Sequence, residues 1–441
     1  MTMADASTIF ALSSGPGKAG VAVIRVSGPA VREALARMAP PDVLDRRAAL
    51  RRIVHPVTGD VLDHALVLYF AGPRSETGED VAEFQVHGGR AVVRAVLDAL
   101  GAVPGCRIAG PGEFARRAFA NGKLDLVEIE ALADLVEADT EAQRRLALRS
   151  GGVLSTLYQG WRSNLIEIAA LTEAAIDFSD EGDVGAQSLE MGRVRARPLL
   201  SAIRAHLNDG HRGEILRDGF RVAILGAPNA GKSSLLNALA RREAAIVSEE
   251  AGTTRDVIEV RLDLGGLPVI VSDTAGLREA AGTIEREGIR RSLKAAEDAQ
   301  LVFWLTETGL DSPPESISRE TYVVVRSKVD LPQCQAPKAT VMAMSTRTGA
   351  GIDALIRLIA ARAGEAVGNS SDQPVITQAR HRQQLEASAR SLETFLAGDP
   401  EAMELRAEDV RQAAHALGRI TGRVDVEDVL GHIFSRFCIG K

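Results

Sequence analysis

Gly226-Ala-Pro-Asn-Ala-Gly-Lys-Ser-Ser234 fits G-x-x-x-x-G-K-[ST], a loop that wraps phosphate groups. The flanks match what that loop demands. Phe220-Arg-Val-Ala-Ile-Leu225 is a short apolar run that reads as a buried strand, and Ser233-Ser-Leu-Leu-Asn-Ala-Leu-Ala240 has helical spacing. Gly226 and Gly231 let the backbone close around phosphate oxygens. Free N–H groups at the start of the new helix point at the anion. Lys232 brings a cation to the outer phosphates, and the Ser233 hydroxyl is suited to ligate Mg²⁺. Asn229, Ala230 and Ser234 complete the expected nucleotide contacts of the loop.

Three later stretches select the nucleotide. Val269-Ile-Val-Ser-Asp273-Thr-Ala-Gly276 is an apolar strand ending in an acid that holds the Mg²⁺ shell, with Thr274, Ala275 and Gly276 facing the γ-phosphate. Thr321-Tyr-Val-Val-Val-Arg-Ser-Lys-Val-Asp330 is a second buried strand. The carboxylate of Asp330 can accept from both N1–H and the 2-amino group of guanine, a pair that adenine lacks. Met342-Ala-Met-Ser345-Thr-Arg347 ends a third strand, where Ser345, Thr346 and Arg347 reach the guanine O6 edge through a backbone N–H. This order resembles the GTPases, with Ser327 before Lys328 where the family has Asn, and Thr346 where it has Ala. Losing the Asn amide removes a brace on the phosphate loop, so weaker nucleotide affinity is expected. Leu277 stands where many GTPases carry the Gln that orients the attacking water, so other groups must do that work.

The chain has 441 residues, 45% apolar and 25% charged, with a net charge of −7. Those values suit a soluble globular protein of several domains and argue against whole-surface attraction to nucleic acid. No apolar run reaches the roughly 18 residues of a membrane span, and residues 1–7 lack a secretory pattern. Cys106, Cys334 and Cys438 are too far apart for a metal motif and odd in number, so a reducing cytoplasm is expected.

Residues 1–122 read as a mixed α+β domain, with strands at Gly20–Val26, Ala65–Phe70 and Val81–His87. The last alternates, placing Glu83, Gln85 and His87 on one face. Residues 123–216 read as helical, 217–365 as the nucleotide domain, 364–374 as a linker by composition, and 375–441 as helical again. The expected architecture is therefore a multidomain α/β and α protein. A P-loop domain, a mostly parallel sheet with helices on both faces, is inserted into a helical domain behind the α+β domain. Arg144, Arg145 and Arg149, and Arg193, Arg195 and Arg197, are candidate RNA phosphate contacts or simply solvated helix faces. Phe437-Cys-Ile-Gly-Lys441 follows an apolar helical stripe and reads as a docked terminus, with Cys438 either a small buried side chain or a nucleophile.

The Asn229 loop, Ser248-Glu-Glu-Ala-Gly-Thr253-Thr254-Arg-Asp256, Asp273-Thr-Ala-Gly-Leu-Arg278 and the Phe-Cys-Ile-Gly-Lys terminus together resemble the bacterial tRNA modification GTPases of the MnmE (TrmE) family. Gly20–Gly28, Gly78-Glu-Asp80, His87-Gly-Gly89, Pro111-Gly-Glu-Phe114 and Lys123-Leu-Asp125 extend the likeness over the whole chain. The resemblance implies a K⁺ site from Asn229, the carbonyls of Ser248 and Glu250, and Thr253. Glu249, Ala251 and Gly252 lie in the same nucleotide-facing stretch, and Thr254 is the second Mg²⁺ ligand. Glu285 would position water, although without the likeness it reads as an ordinary first-turn helix carboxylate. The resemblance further implies a tetrahydrofolate derivative (5-formyl or methylene) held by Arg25, Glu83, Lys123 and Lys441, with Cys438 nearby as a candidate catalytic thiol. It implies a homodimer that works with the FAD-carrying flavoprotein MnmG, in a heterotetramer, on the wobble uridine of certain tRNAs. A stand-alone regulatory or ribosome-assembly GTPase is the rival, against which the N-terminal motifs and the terminus speak.

Overall fold

The computed structural model describes the chain except residues 1–6, 16, 179–182, 243, 247–257, 274–293, 295, 309–320, 332–341, 369–373, 425–429, 431–432, 434–439 and 441. The chain divides into two compact units, Met1–Ala133 with Gly418–Lys441, and Asp134–Leu417.

The first unit is built on a six-stranded sheet. Its strands are β1 (Thr8–Leu12), β2 (Ala19–Ser27), β3 (Ala49–Val54), β4 (Val61–Phe70), β5 (Val81–Gly88) and β6 (Cys106–Ile108). They lie in the order β3-β4-β5-β2-β1-β6, antiparallel except where β1 meets β6. The alternation expected of β5 holds: Ala82, Phe84 and Val86 are buried, while Glu83, Gln85 and His87 face the other way. The buried face packs on two helices, α1 (Val31–Met38) and α2 (Arg90–Gly101), through Leu35, Met38, Val96 and Leu100. Two further helices follow, α3 (Glu113–Ala120) and α4 (Leu126–Val136). The apolar stripe that the sequence suggests for this helix, Leu124, Val127, Leu132, Leu135 and Val136, is only partly the one that α4 buries. Leu126, Val127 and Ile129 are buried, whereas Val136 is exposed, because the core here is met by the N-terminal half of the helix.

The second unit opens with α5 (Glu141–Asp177), which starts at a capping box. Thr140 accepts from the Gln143 backbone N–H, and the Gln143 side chain accepts from the Thr140 N–H. It packs against α6 (Asp183–Leu207) through Leu154, Tyr158, Leu165 and Ile168. The break at 208–211 leads into the short α7 (Arg212–Asp218). The nucleotide-domain sheet then comprises β7 (Phe220–Gly226), β8 (Ile258–Leu264), β9 (Leu267–Asp273), β10 (Leu301–Thr306), β11 (Tyr322–Arg326) and β12 (Met342–Ala343). Its order is β12-β11-β10-β7-β9-β8, parallel except for β8. Helix α8 (Lys232–Ala240) follows β7, and α9 (Ile352–Val367) covers the same sheet. The compositional linker therefore begins later than its glycines suggest, since Gly364 lies inside α9. Helix α10 (Ala379–Ala397) returns to α6. Among the described residues no helix is long and apolar enough to cross a membrane.

Candidate functional site

The phosphate loop sits where β7 passes into α8, and its geometry explains its glycines. Gly226 has φ +144°, and a Cβ there would lie 2.2 Å from the Leu305 carbonyl oxygen on β10. Gly231 caps α8 at φ +92°, and Asn229 takes the left-handed region at φ +63°. Lys232 is buried and donates from Nζ to the carbonyls of Gly226 and Ala227, each at 2.9 Å, so its ammonium lies across the mouth of the loop. Burial lowers its pKa, and the charge of Asp273 works in the opposite direction.

Parallel pairing of β7 with β9 sets Ile224 opposite Asp273. That register brings the buried Asp273 carboxylate to the loop, where Ser233 Oγ donates to Oδ2 at 2.6 Å. Two hard oxygen donors thus meet beside the Lys232 ammonium, a donor set that suits Mg²⁺. Thr254, Thr274, Ala275, Gly276 and Glu285, and the stretch Ser248 to Thr253, lie outside the described residues.

The base-reading residues converge from β11 and β12. Ser345 Oγ donates to Asp330 Oδ1 at 2.6 Å, and Arg347 lies 3.9 Å from Oδ2. The Ser345 hydroxyl, chiefly, holds the Asp330 carboxyl below the usual range, with its own backbone N–H and Arg347 assisting against desolvation. An ionised carboxylate in this position is suited to the paired donors of guanine. The connection from β12 into α9 depends on Gly351, whose Cβ would come within 2.0 Å of the Ala343 carbonyl oxygen. Ser327 is buried behind the phosphate loop, its Cβ 3.9 Å from where a Gly231 Cβ would stand. Its N–H bonds the Thr306 carbonyl at 2.9 Å. Thr346 lies on the turn that follows β12. Lys328, at φ +57°, pairs with Glu307, a residue the sequence did not single out because nothing in its local pattern marks it.

In the first unit, Arg25 and Glu83 are register partners on β2 and β5. Arg25 donates from Nε and Nη2 to Glu83 Oε1 at 3.2 and 3.0 Å. Its guanidinium also lies 6.0 Å from the Phe114 ring centre. Lys123 Nζ donates to the Pro73 carbonyl at 3.0 Å. Cys438 and Lys441 are outside the described residues, but their neighbour Gly440 is buried and accepts from Ser13 Oγ at 2.7 Å, at the end of β1. The candidate RNA-binding arginines mostly have partners in the chain. Arg144 and Arg145 pair with Glu141, Arg195 with Glu167 and Arg197 with Glu190, while Arg193 donates to the Gly398 carbonyl.

Comparison with known proteins identifies the family. Residues 126–438 match the MnmE helical domain and residues 8–123 the GTP-binding protein TrmE N-terminus. The tRNA modification GTPase MnmE of Parvibaculum lavamentivorans is 54% identical over 441 residues, covering 98% of this chain and all of that one. Its counterpart from Methylorubrum populi is 52% identical over 98% of each chain, and that from Mesorhizobium japonicum is 49% identical over the full length of both. With the family models matched over residues 8–123 and 126–438 and these full-length likenesses, the chain belongs to the MnmE family of tRNA modification GTPases.

Proposed function

We propose that this chain is a K⁺-activated GTPase that acts with the FAD-dependent MnmG. Together they add an aminomethyl or carboxymethylaminomethyl group to C5 of the wobble uridine (position 34) of certain tRNAs, using a tetrahydrofolate one-carbon unit. The observation that carries the nucleotide part is the Ser345–Asp330 bond at 2.6 Å, which fixes an ionised carboxylate for guanine at the strand ends beside the phosphate loop. Lys232 binds the outer phosphates after its ammonium leaves the loop carbonyls, and Ser233, Asp273 and Thr254 would hold Mg²⁺. Magnesium, when bound, neutralises charge on the β- and γ-oxygens. Asn229, the Ser248 and Glu250 carbonyls and Thr253 would hold K⁺, which supplies the second cation in place of an arginine finger. With Leu277 unable to orient water, Glu285 takes that role.

Residues 1–122 are read as the folate-binding and dimerisation domain, 123–216 with 375–441 as the helical domain, and 217–365 as the GTPase domain. Arg25, Glu83, Lys123 and Lys441 hold the folate, and their chemistry suits it. Both Arg25 bonds fall on one Glu83 oxygen, so the other can accept from a pterin amine edge, while the cations suit an anionic tail. Cys438 acts near the one-carbon unit as a thiol, and Cys438→Ser is expected to slow tRNA modification while leaving GTP hydrolysis intact.

The test is GTP hydrolysis by the purified protein in KCl and in NaCl at matched ionic strength. Stimulation specific to K⁺ is expected, and Asn229→Ala is expected to abolish it. Equal rates in both salts would remove the K⁺ assignment and leave a plain GTPase.

A further inference from the structure

The two charged ends of Lys328-Val-Asp330 are pinned from opposite sides. The backbone around them is fixed first. Ser327 N–H bonds the Thr306 carbonyl at 2.9 Å on the β10 side, and Val329 N–H bonds the Met344 carbonyl at 3.3 Å on the β12 side. Leu331 N–H then closes a turn onto the Lys328 carbonyl at 3.1 Å. Lys328 enters that turn at φ +57°, in the left-handed region that residues other than glycine seldom adopt. Its ammonium pairs with Glu307, while Asp330 takes the Ser345 hydroxyl.

The place of Glu307 is set by register. Parallel pairing puts Thr306 opposite Arg326, so Glu307 leaves β10 beside the point where Ser327 and Lys328 leave β11. The buried Arg326 donates from Nε to the Glu307 carbonyl at 3.2 Å, which anchors the backbone under the carboxylate. Lys328 has a second carboxylate within reach. Lys328 and Asp330 are two residues apart, so their Cα atoms are at most about 7.6 Å apart. The ammonium rides on a flexible four-carbon stem. Asp330 already draws one cation, since Arg347 lies 3.9 Å from Oδ2.

We propose that Glu307 is a positioning residue for base recognition, holding the Lys328 ammonium on the β10 side and so keeping it off Asp330. The proposal rests on the reading of Asp330 as the guanine-binding acid. Glu307 and Asp330 compete for one cation, and the sheet register favours Glu307. Guanine brings two neutral N–H donors, and an ammonium seated on Asp330 would have to be displaced before they could bind. Giving the ammonium another partner removes that competitor, which is discrimination against a wrong pairing. The Lys328 and Glu307 side chains are 37% and 49% exposed, so exchanging one pairing for the other is a small effect.

The experiment measures the affinity of the full chain for a fluorescent GDP analogue. Glu307→Gln keeps the shape and removes the charge. It is expected to bind about two- to five-fold more weakly than the parent, the scale of one exposed ion pair. Glu307→Ala also removes the amide oxygen that still accepts from Lys328, and is expected to lose at least as much. The loss is expected to vanish in two backgrounds: Lys328→Met, where no ammonium is left to redirect, and Asp330→Ala, where no carboxylate is left to protect. Unchanged affinity in both Glu307 variants overturns the proposal. Loss that persists in the Lys328→Met background also overturns it, since Glu307 then acts without Lys328. Loss that persists in the Asp330→Ala background overturns it too, since Glu307 then supports the loop or the lysine stem. If Asp330→Ala alone binds as tightly as the parent, Asp330 does not read guanine, and the proposal falls with that reading.

Discussion

Ser327 stands buried behind the phosphate loop, with its N–H on the Thr306 carbonyl and its hydroxyl 3.5 Å from the same oxygen. A serine there is too short to reach forward to the loop, so among the described residues the loop is held by the Lys232 bonds, the Ala230 N–H on the Ala227 carbonyl and the Ser233–Asp273 bond. Ser327→Asn supplies the missing amide. One added neutral hydrogen bond is worth about 0.5–1.5 kcal/mol net, so the variant is expected to bind a fluorescent GDP analogue about two- to ten-fold more tightly. Unchanged affinity at an unchanged melting temperature would show that the amide has no work to do in this loop. Weaker affinity with a lower melting temperature would mean that the larger side chain overfills the site.

The element carrying the least obvious chemistry is the α5–α6–α10 bundle. Its sequence pattern revealed the helices, since Leu154, Trp161, Leu165 and Ile168 recur at helical spacing and are all buried. The pattern missed Tyr158, which is fully buried and whose hydroxyl lies 3.1 Å from His206 Nε2, because a tyrosine or a histidine on a helix carries no period of its own. The same limit applied elsewhere. Strands β2 and β4 were legible as apolar, strand-like runs and β5 also from its alternation, but β3 contains Arg51-Arg52 and β6 has only three residues, so each forms through its neighbour rather than its own propensity. In the nucleotide site the loop and Asp330 were legible because each lies in a short motif of fixed spacing at the end of an apolar strand. Glu307 was not, because its partner is set by tertiary register. His206 makes a testable case. Burial among Tyr158, Trp161 and His381 pushes its pKa down to about 4; Asp209 opposes the shift, and Arg382 and His381 add to it. A depressed histidine pKa means that the unfolded chain binds the proton first, so stability is full above pH 6.5 and falls as pH drops toward 4. At pH 5 the loss is about 2 kcal/mol, or roughly 4–8 °C in melting temperature. His206→Gln keeps a hydrogen-bonding group near Tyr158 and is expected to flatten the melting curve between pH 7 and 5. An unchanged slope would assign the acid sensitivity to other groups.

At the scale of the whole molecule, the two largest hydrophobic clusters among the described residues fall in different units. One is the sheet face of β2, β4 and β5 with α1 and α2; the other is the nucleotide sheet with α8 and α9. The nucleotide-binding residues fall in Asp134–Leu417, and Arg25, Glu83 and Lys123 fall in Met1–Ala133. A ligand that binds only the folded form stabilises the unit it binds, by about 2.7 kcal/mol when present at 100 times its Kd. That corresponds to roughly 5–10 °C for a unit of ordinary domain size. Scanning calorimetry of the full chain is therefore expected to show two transitions. A non-hydrolysable GTP analogue with Mg²⁺ moves one of them, and 5-formyl-tetrahydrofolate moves the other. A single transition raised by both ligands would mean that the two cores unfold as one cooperative body. Two transitions with only the GTP-sensitive one responding would remove the folate from the first unit and leave Arg25 and Glu83 as a structural ion pair of the sheet.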